Sequence, residues 1–417
     1  MGIKRSNPLV WLLDPLQPTS GEASPAYRFT WSQAAWLIPL AIGIAGLVIS
    51  AVGWATDPKQ FYFSYLVGWS FCLSLALGGL FFVLIQHLVK ARWSVVVRRI
   101  PETLLWSFPL LAILGIPILL GMHDLYHWTH LELLDPTDPA FDPVIAGKEP
   151  YLNVPFFVGR LAFYFLVWSI ISFKLYTLSI RQDVEGGADI PAKQRFTSAW
   201  GLAVSAITVS FAAFDILMSL DPHWFSTIFG VYFFAGSFMS IMAFTAFVSM
   251  LLQRQGMLKQ AITTEHYQDL GKFLFGFVVF WAYIGFSQYM LIWYANLPEE
   301  TLFYRHRMEH GWEYHSAALL LFHFILPFLI LIGRWAKRLR PLFAFMCIWM
   351  LIMQWFDLHW IAMPVLHEDA MFSLYDISAW LGLTGVFIAA FMFRLSRHAL
   401  VPEKDPNLGS SLAFTNT

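Results

Sequence analysis

A chain of 417 residues that is 58% hydrophobic and 18% aromatic, with only 13% charged residues and a mean hydropathy of +0.59, is too apolar for a water-soluble protein of its length. A net charge of −1 points to no nucleic-acid partner. Two cysteines, Cys72 and Cys347, both in apolar runs and without a C-x-x-C-H motif, exclude an iron–sulfur cluster, a zinc ribbon or covalently attached haem in this chain.

At the N-terminus, Lys4 and Arg5 precede a short apolar run, Leu9–Leu13, bounded by Pro8 and by Asp14 and Pro15. No small-residue cleavage site follows, so residues 1–31 are expected to form a cytoplasmic interfacial or partner-binding segment and not a signal peptide.

Ten apolar runs then follow, at about 32–54, 62–88, 103–121, 154–178, 197–220, 224–252, 271–296, 312–333, 341–364 and 374–394. Each is long enough to cross a hydrocarbon layer of ~30 Å as a helix. The chain is therefore expected to be an all-α polytopic membrane protein. Helices two to five (62–222) and six to nine (223–372) would form two consecutive four-helix bundles, with a flanking first helix (32–61) and a flanking last helix and tail (373–417).

Orientation follows from the basic residues. Of the 26 lysines and arginines, all but Lys59, Lys148, Arg160, Arg305 and Arg307 fall on the side of the N-terminus when the runs alternate, which predicts both termini in the cytoplasm. The basic stretch Ala91–Ile100 reads as a short interfacial helix or as a loop gripping anionic lipid. On the outer side only 122–153 and 297–311 are long, and the first is acidic, with Asp124, Glu132, Asp135, Asp138, Asp142 and Glu149. Connections of this length suit covering a site or docking a partner.

The chain turns most tightly at Asp221-Pro222-His223, between helices five and six. Asp215 lies about 9 Å deeper at ~1.5 Å per residue, where a carboxylate must be partnered, protonated or wet. His123, Asp124, Tyr126 and His127 close helix three, Tyr62 and Tyr65 open helix two, and Arg160 enters helix four, all near the same outer depth. His123, Asp124, Asp221 and His223 are thus the candidate acid–base groups. Tyr65, Tyr126, His127, Arg160 and Trp224 are candidate walls and contacts of a pocket for a lipid-borne quinol, which needs apolar contact for ring and tail and a base for each proton. A polar belt at headgroup depth is the plainer alternative. Arg160 and Asp215 are expected to form an ion pair.

Within the membrane, Lys174, Asp215, His323 and Asp357 are candidates for a proton path, although Lys174 also suits snorkelling to the surface. In the second half, Gln288, Tyr289, Tyr294, Asn296, Glu299, Glu300, Glu313 and His315 gather near the outer side, where they could pass protons or glue helices together. Asp357 and His359, two apart, cannot share a helix face, and Asp376 is expected at the surface. His123 and His127 are spaced to clamp a metal, but no third ligand is evident, so no metal site is expected. Only His310 and His323 approach the spacing of haem b ligands, and no second helix repeats it, so no haem is expected either.

Three motifs resemble one family. Ser219-Leu-Asp-Pro-His-Trp-Phe-Ser-Thr-Ile-Phe-Gly230, the run from Tyr283 to Glu300, and Leu125-Tyr-His-Trp-Thr-His130 are similar to the NrfD/polysulfide-reductase-type membrane subunits of bacterial alternative complex III, and the likeness extends over all ten spans. The resemblance implies a multi-pass subunit of the bacterial cytoplasmic membrane, set beside an iron–sulfur subunit, multihaem and monohaem cytochrome c subunits and a homologous membrane subunit. That assembly takes electrons from menaquinol or ubiquinol and passes them to a cytochrome c or an oxidase. Length and the short N-terminal region resemble the ActF type more than the ActC type, and the ActF type implies proton conduction or scaffolding without quinone.

The expected function is therefore a membrane subunit of a quinol:acceptor oxidoreductase, contributing an outer quinol pocket, a proton path or both. A non-catalytic scaffold or proton-translocating subunit is the alternative. A secondary transporter ranks last, because no pair of helices carries Gly/Pro breaks at matching depths.

Overall fold

The computed structural model describes residues 27–32 and 34–416, and among them ten helices are long and apolar enough to cross a membrane. They are α1 (Leu37–Thr56), α2 (Pro58–Leu88), α3 (Val95–Leu120), α4 (Val154–Glu185), α5 (Asp189–Ile216), α6 (Phe229–Arg254), α7 (Thr264–Ala295), α8 (Trp312–Leu331), α9 (Arg340–Leu366) and α10 (Leu374–Leu395). The N-terminal segment expected over residues 1–31 lies mostly outside the described residues.

Several of these helices begin where a polar side chain takes up a free backbone N–H. Asp57 accepts from the Gln60 amide at 3.2 Å and Asn153 from that of Phe156 at 3.0 Å, each with proline in the first turn. Thr263 and Ser373 open α7 and α10 as capping boxes, closed by His266 and Asp376.

Two spans are irregular. α3 is divided into Val95–Leu104, which holds Pro101 inside it, a tight turn at Leu105–Ser107, Phe108–Leu114 and Ile116–Leu120, the last two each starting with a proline, Pro109 and Pro117, in the first turn. Trp69 and Tyr65 of α2 donate to its carbonyls at Leu111 and Leu114, at 2.9 and 2.8 Å. In α8, Leu319–Ile325 widens into π-helix and carries His323.

Central to the packing are α2 and α6, the two most buried spans. The contacts join α2 through α5 into one four-helix group and α6 through α9 into another, with α2 against α6 between them and α1 with α10 flanking α2. Gly78 permits the central crossing, since a Cβ there would stand 2.2 Å from the Ser237 carbonyl oxygen. On the flank, Gly43, Gly46 and Ser50 meet Ser378, Gly382 and Gly385, Gly53 meets the Tyr375 ring, and Ser50 and Ser378 hydrogen-bond at 2.9 Å.

Residues 396–416 are folded against the bundle. Leu400 N–H donates to Tyr27 O at 2.8 Å, which sets both ends of the described chain on one face. Arg98 pairs with Asp405 at 2.7 Å, and His266 of α7 bonds the Ser411 carbonyl at 3.1 Å, so the tail bridges the two helix groups.

Three expectations are corrected. The connection between α5 and α6 is longer than a three-residue reversal, because Asp221–Ile228 form turns and α6 begins at Phe229. The basic stretch 91–100 is not interfacial: it enters α3, where Arg98 and Arg99 are buried at 4% and 1% exposure. Glu102 bonds Arg98 at 2.8 Å and lies 3.4 Å from Arg99, which also pairs with Asp183 at 2.9 Å; these carboxylates compensate the cations. Asp376 is buried too, accepting from Ser64 at 2.5 Å and Gln60 at 2.8 Å.

Candidate functional site

On the face opposite the tail, α3 runs out at Gly121 into the helical turn Met122–Leu125 and the tight turn His127–Thr129. This brings His123, Asp124 and His127 to the rim of a cavity of about 450 Å³. Asp221 and His223 line the same cavity from the α5–α6 connection, and His306 does so from the end of the short helix Pro298–His306. Phe63, Leu125 and Leu220 are among its apolar lining residues. The four candidate acid–base groups therefore share one hollow, although they come from two separate connections.

The imidazoles are close-set. The His130 ring lies 4.1 Å from that of His123 and 5.1 Å from that of His127, and its Nε2 is 2.9 Å from the His123 carbonyl oxygen. Partial burial, then the neighbouring His130 and His223, lower the pKa of His127 and favour its neutral ring. His223 Nε2 lies 2.6 Å from Asp142 Oδ2, while Asp142 Oδ1 accepts from the amides of Val144 and Ile145. Desolvation works against the Asp142 carboxylate, but the His223 and amide bonds outweigh it and hold its pKa below the usual range. Asp142 went unrecognised among the acids of the outer loop, although Asp before Pro is a cap signal readable from sequence. Among the described residues no set of three His, Cys, Asp or Glu side chains is placed to hold a metal.

Of the expected pocket walls, only His127 lines this cavity. The Tyr65 hydroxyl is tied to Leu114 O, and Tyr126, fully buried, donates to Ile216 O at 3.0 Å. Trp224 stacks on Phe303 with ring centres 3.8 Å apart. Arg160 is committed to Asp215. The expected ion pair is present and two-pronged, at 2.9 and 2.8 Å, with Tyr164 donating to the same carboxylate at 2.8 Å. The Tyr151 ring covers the guanidinium at 3.8 Å. Side chains so tied do not line the hollow.

The candidate proton-path residues divide. Lys174 is exposed, its ammonium 5.8 Å from the Trp200 ring, as snorkelling would have it. Asp357 is buried at 2% exposure, accepting from the Tyr232 hydroxyl and from Trp281 Nε1 at 3.2 Å, with no cation paired to it among the described residues. His323 stacks against Trp281 at 3.9 Å, its Nε2 is 3.3 Å from the Met239 sulfur, and its Nδ1 has no hydrogen-bond partner among the described residues.

A further polar group was not foreseen. His359 Nε2 is 3.3 Å from Asp376, and Gln60, which bonds that carboxylate, also meets His367 at 2.5 Å. The residues stand on α2, α9 and α10 or next to them, and their register is set by tertiary packing that no periodicity reveals.

Comparison with protein-family models and with curated proteins finds no match to this chain.

Proposed function

We propose that this chain is the proton-handling membrane subunit of a bacterial quinol-oxidising assembly of the alternative complex III kind. It would lie in the cytoplasmic membrane with both termini inside, beside iron–sulfur, cytochrome c and homologous membrane subunits that take the electrons. The supporting observation is the convergence of His123, Asp124, His127, Asp221 and His223 on one cavity at the face opposite the termini.

Quinol oxidation releases two protons and two electrons per molecule. The imidazoles and carboxylates of this cavity supply bases for the protons close to the outer surface, and His127, held neutral, is ready to accept at a ring nitrogen. Asp142 fixes the His223 ring in place. The few aromatic walls make this hollow a proton-release vestibule before a ring-binding pocket.

The test is quinol oxidation by the purified native assembly carrying Asp221→Asn and His223→Gln together. The rate is expected to fall roughly 100-fold, the lower end of the range for losing general acid–base groups. An unchanged rate overturns the proposal. The alternative, proton conduction without quinol contact, draws on the cation-free burial of Asp357 within the second helix group.

A further inference from the structure

A second cavity, of about 540 Å³, lies among α6, α7, α8 and α9 and shares no lining residue with the vestibule; Phe303, Tyr304 and Met308 line it, whereas His306 lines the vestibule. Rings of Tyr232, Trp281, Phe303 and Trp360 line it. Phe286 of α7 and Leu320 of α8, exposed at 62% and 56%, stand at its edge, so it opens toward the lipid-facing surface between those helices.

Two polar groups in this apolar hollow are unspent. The Tyr304 oxygen accepts from Gln288 Nε2 at 3.0 Å, but its own proton meets no acceptor among the described residues. Glu313 Oε2 is shielded from solvent and has no hydrogen-bond partner among the described residues. A shielded oxygen without a partner carries a desolvation cost that a bound donor would remove. The pair asks for a ligand with one hydroxyl to give to Glu313 and one oxygen to accept from Tyr304, on a flat head that stacks with the rings. An acyl chain satisfies neither group.

We propose that this second-group cavity binds the ring of a hydroquinone-type lipid, with Glu313 and Tyr304 on its two oxygens and its tail leaving between α7 and α8. The proposal rests on the reading of the assembly as quinol-oxidising and names where the ring sits. Burial holds the Tyr304 phenol in its protonated form, as a donor must be. Gln288, behind Tyr304, also accepts from the Ser226 hydroxyl at 2.9 Å. Ser226 lies three residues beyond His223 in the α5–α6 connection. The Tyr232 hydroxyl reaches Asp357 on the other side. Arg307 has its guanidinium 3.4 Å from the Phe303 ring centre and its N–H groups on the carbonyls of Phe303 and Ile361. It has no carboxylate within ion-pair distance among the described residues, so its positive field favours an electron-rich oxygen nearby.

The experiment is photolabelling of the purified native assembly with an azido-quinone analogue, mapped by peptide mass spectrometry, together with quinol oxidation by the same sample. Label is expected on the 298–320 segment or on α7 near Gly285, competed by excess quinone. It should fall about tenfold in Glu313→Gln and in Tyr304→Phe, the upper range for one lost hydrogen bond. Each variant checks the other if one fails to assemble. Label confined to the vestibule, to another subunit or to uncompetable lipid-facing sites overturns the cavity assignment and leaves the quinol-oxidising reading standing if oxidation persists. Competable label here in an assembly that oxidises no quinol leaves the cavity standing and overturns that reading.

Discussion

Arg160 grips Asp215 through two parallel hydrogen bonds, Nε to Oδ2 at 2.9 Å and Nη2 to Oδ1 at 2.8 Å, and Tyr164 adds a third contact to the same carboxylate. The pair is buried, with exposures of 9% and 0%. Removing one partner leaves an uncompensated buried charge, which costs about 3–5 kcal/mol, whereas removing both leaves none. Arg160→Met and Asp215→Asn alone should each lower thermal stability in detergent strongly. Their combination should cost no more than either one, and additive losses would show that the two do not act as a unit.

Asp357 behaves oppositely because no cation is paired with it among the described residues. Asp357→Asn keeps a group that can bond both Tyr232 and Trp281, so stability should change little, by about 1 kcal/mol or less. If Asp357 stores a proton during turnover, the same variant should still slow proton transfer across liposomes holding the native assembly. A large stability loss with normal proton transfer would make Asp357 structural.

The flanking helices test packing. A Cβ on Gly46 would stand 2.6 Å from the Gly382 amide nitrogen and from the Ser378 carbonyl oxygen, both backbone atoms that cannot swing aside. Gly46→Leu should therefore separate α1 from α10, read as loss of a disulfide engineered between them. Gly159→Leu has open space and should leave the fold intact.

The tail supplies a pH dependence. Burial first, then the cations Arg394, Arg99 and Arg397, lower the His398 pKa to about 3 from 6.5, and neither ring nitrogen has a hydrogen-bond partner among the described residues. The undocked tail therefore binds a proton that the docked tail refuses. Docking through this group is fully present above pH 6.5 and weakens by about tenfold per pH unit down to about pH 3. Hydrogen exchange at 396–412 should quicken over that window. His398→Phe should flatten the response, and an unchanged profile would assign it to the carboxylates instead.

Helix number and approximate spans were legible because a hydrocarbon layer demands long apolar runs, and α9 and α10 come within a few residues of expectation. The Arg160–Asp215 pair was legible because two buried opposite charges at one depth have few other options. Arg98 and Arg99 were misread because, beyond the neighbouring Glu102, their compensating carboxylates Asp405 and Asp183 lie 307 and 84 positions away. The directions of Tyr65 and Tyr126 were illegible for a related reason: each is fixed by a carbonyl freed where a helix breaks or ends. Depth can be counted along a sequence, but the direction of a side chain at that depth depends on its neighbours in space.

The most direct test of the account is external acidification during quinol oxidation by the native assembly in oriented liposomes, followed against time for the unaltered chain and for Asp221→Asn with His223→Gln. The account predicts that acidification and oxidation slow together in the variant while the assembly keeps its subunits. Unchanged rates of both would contradict it.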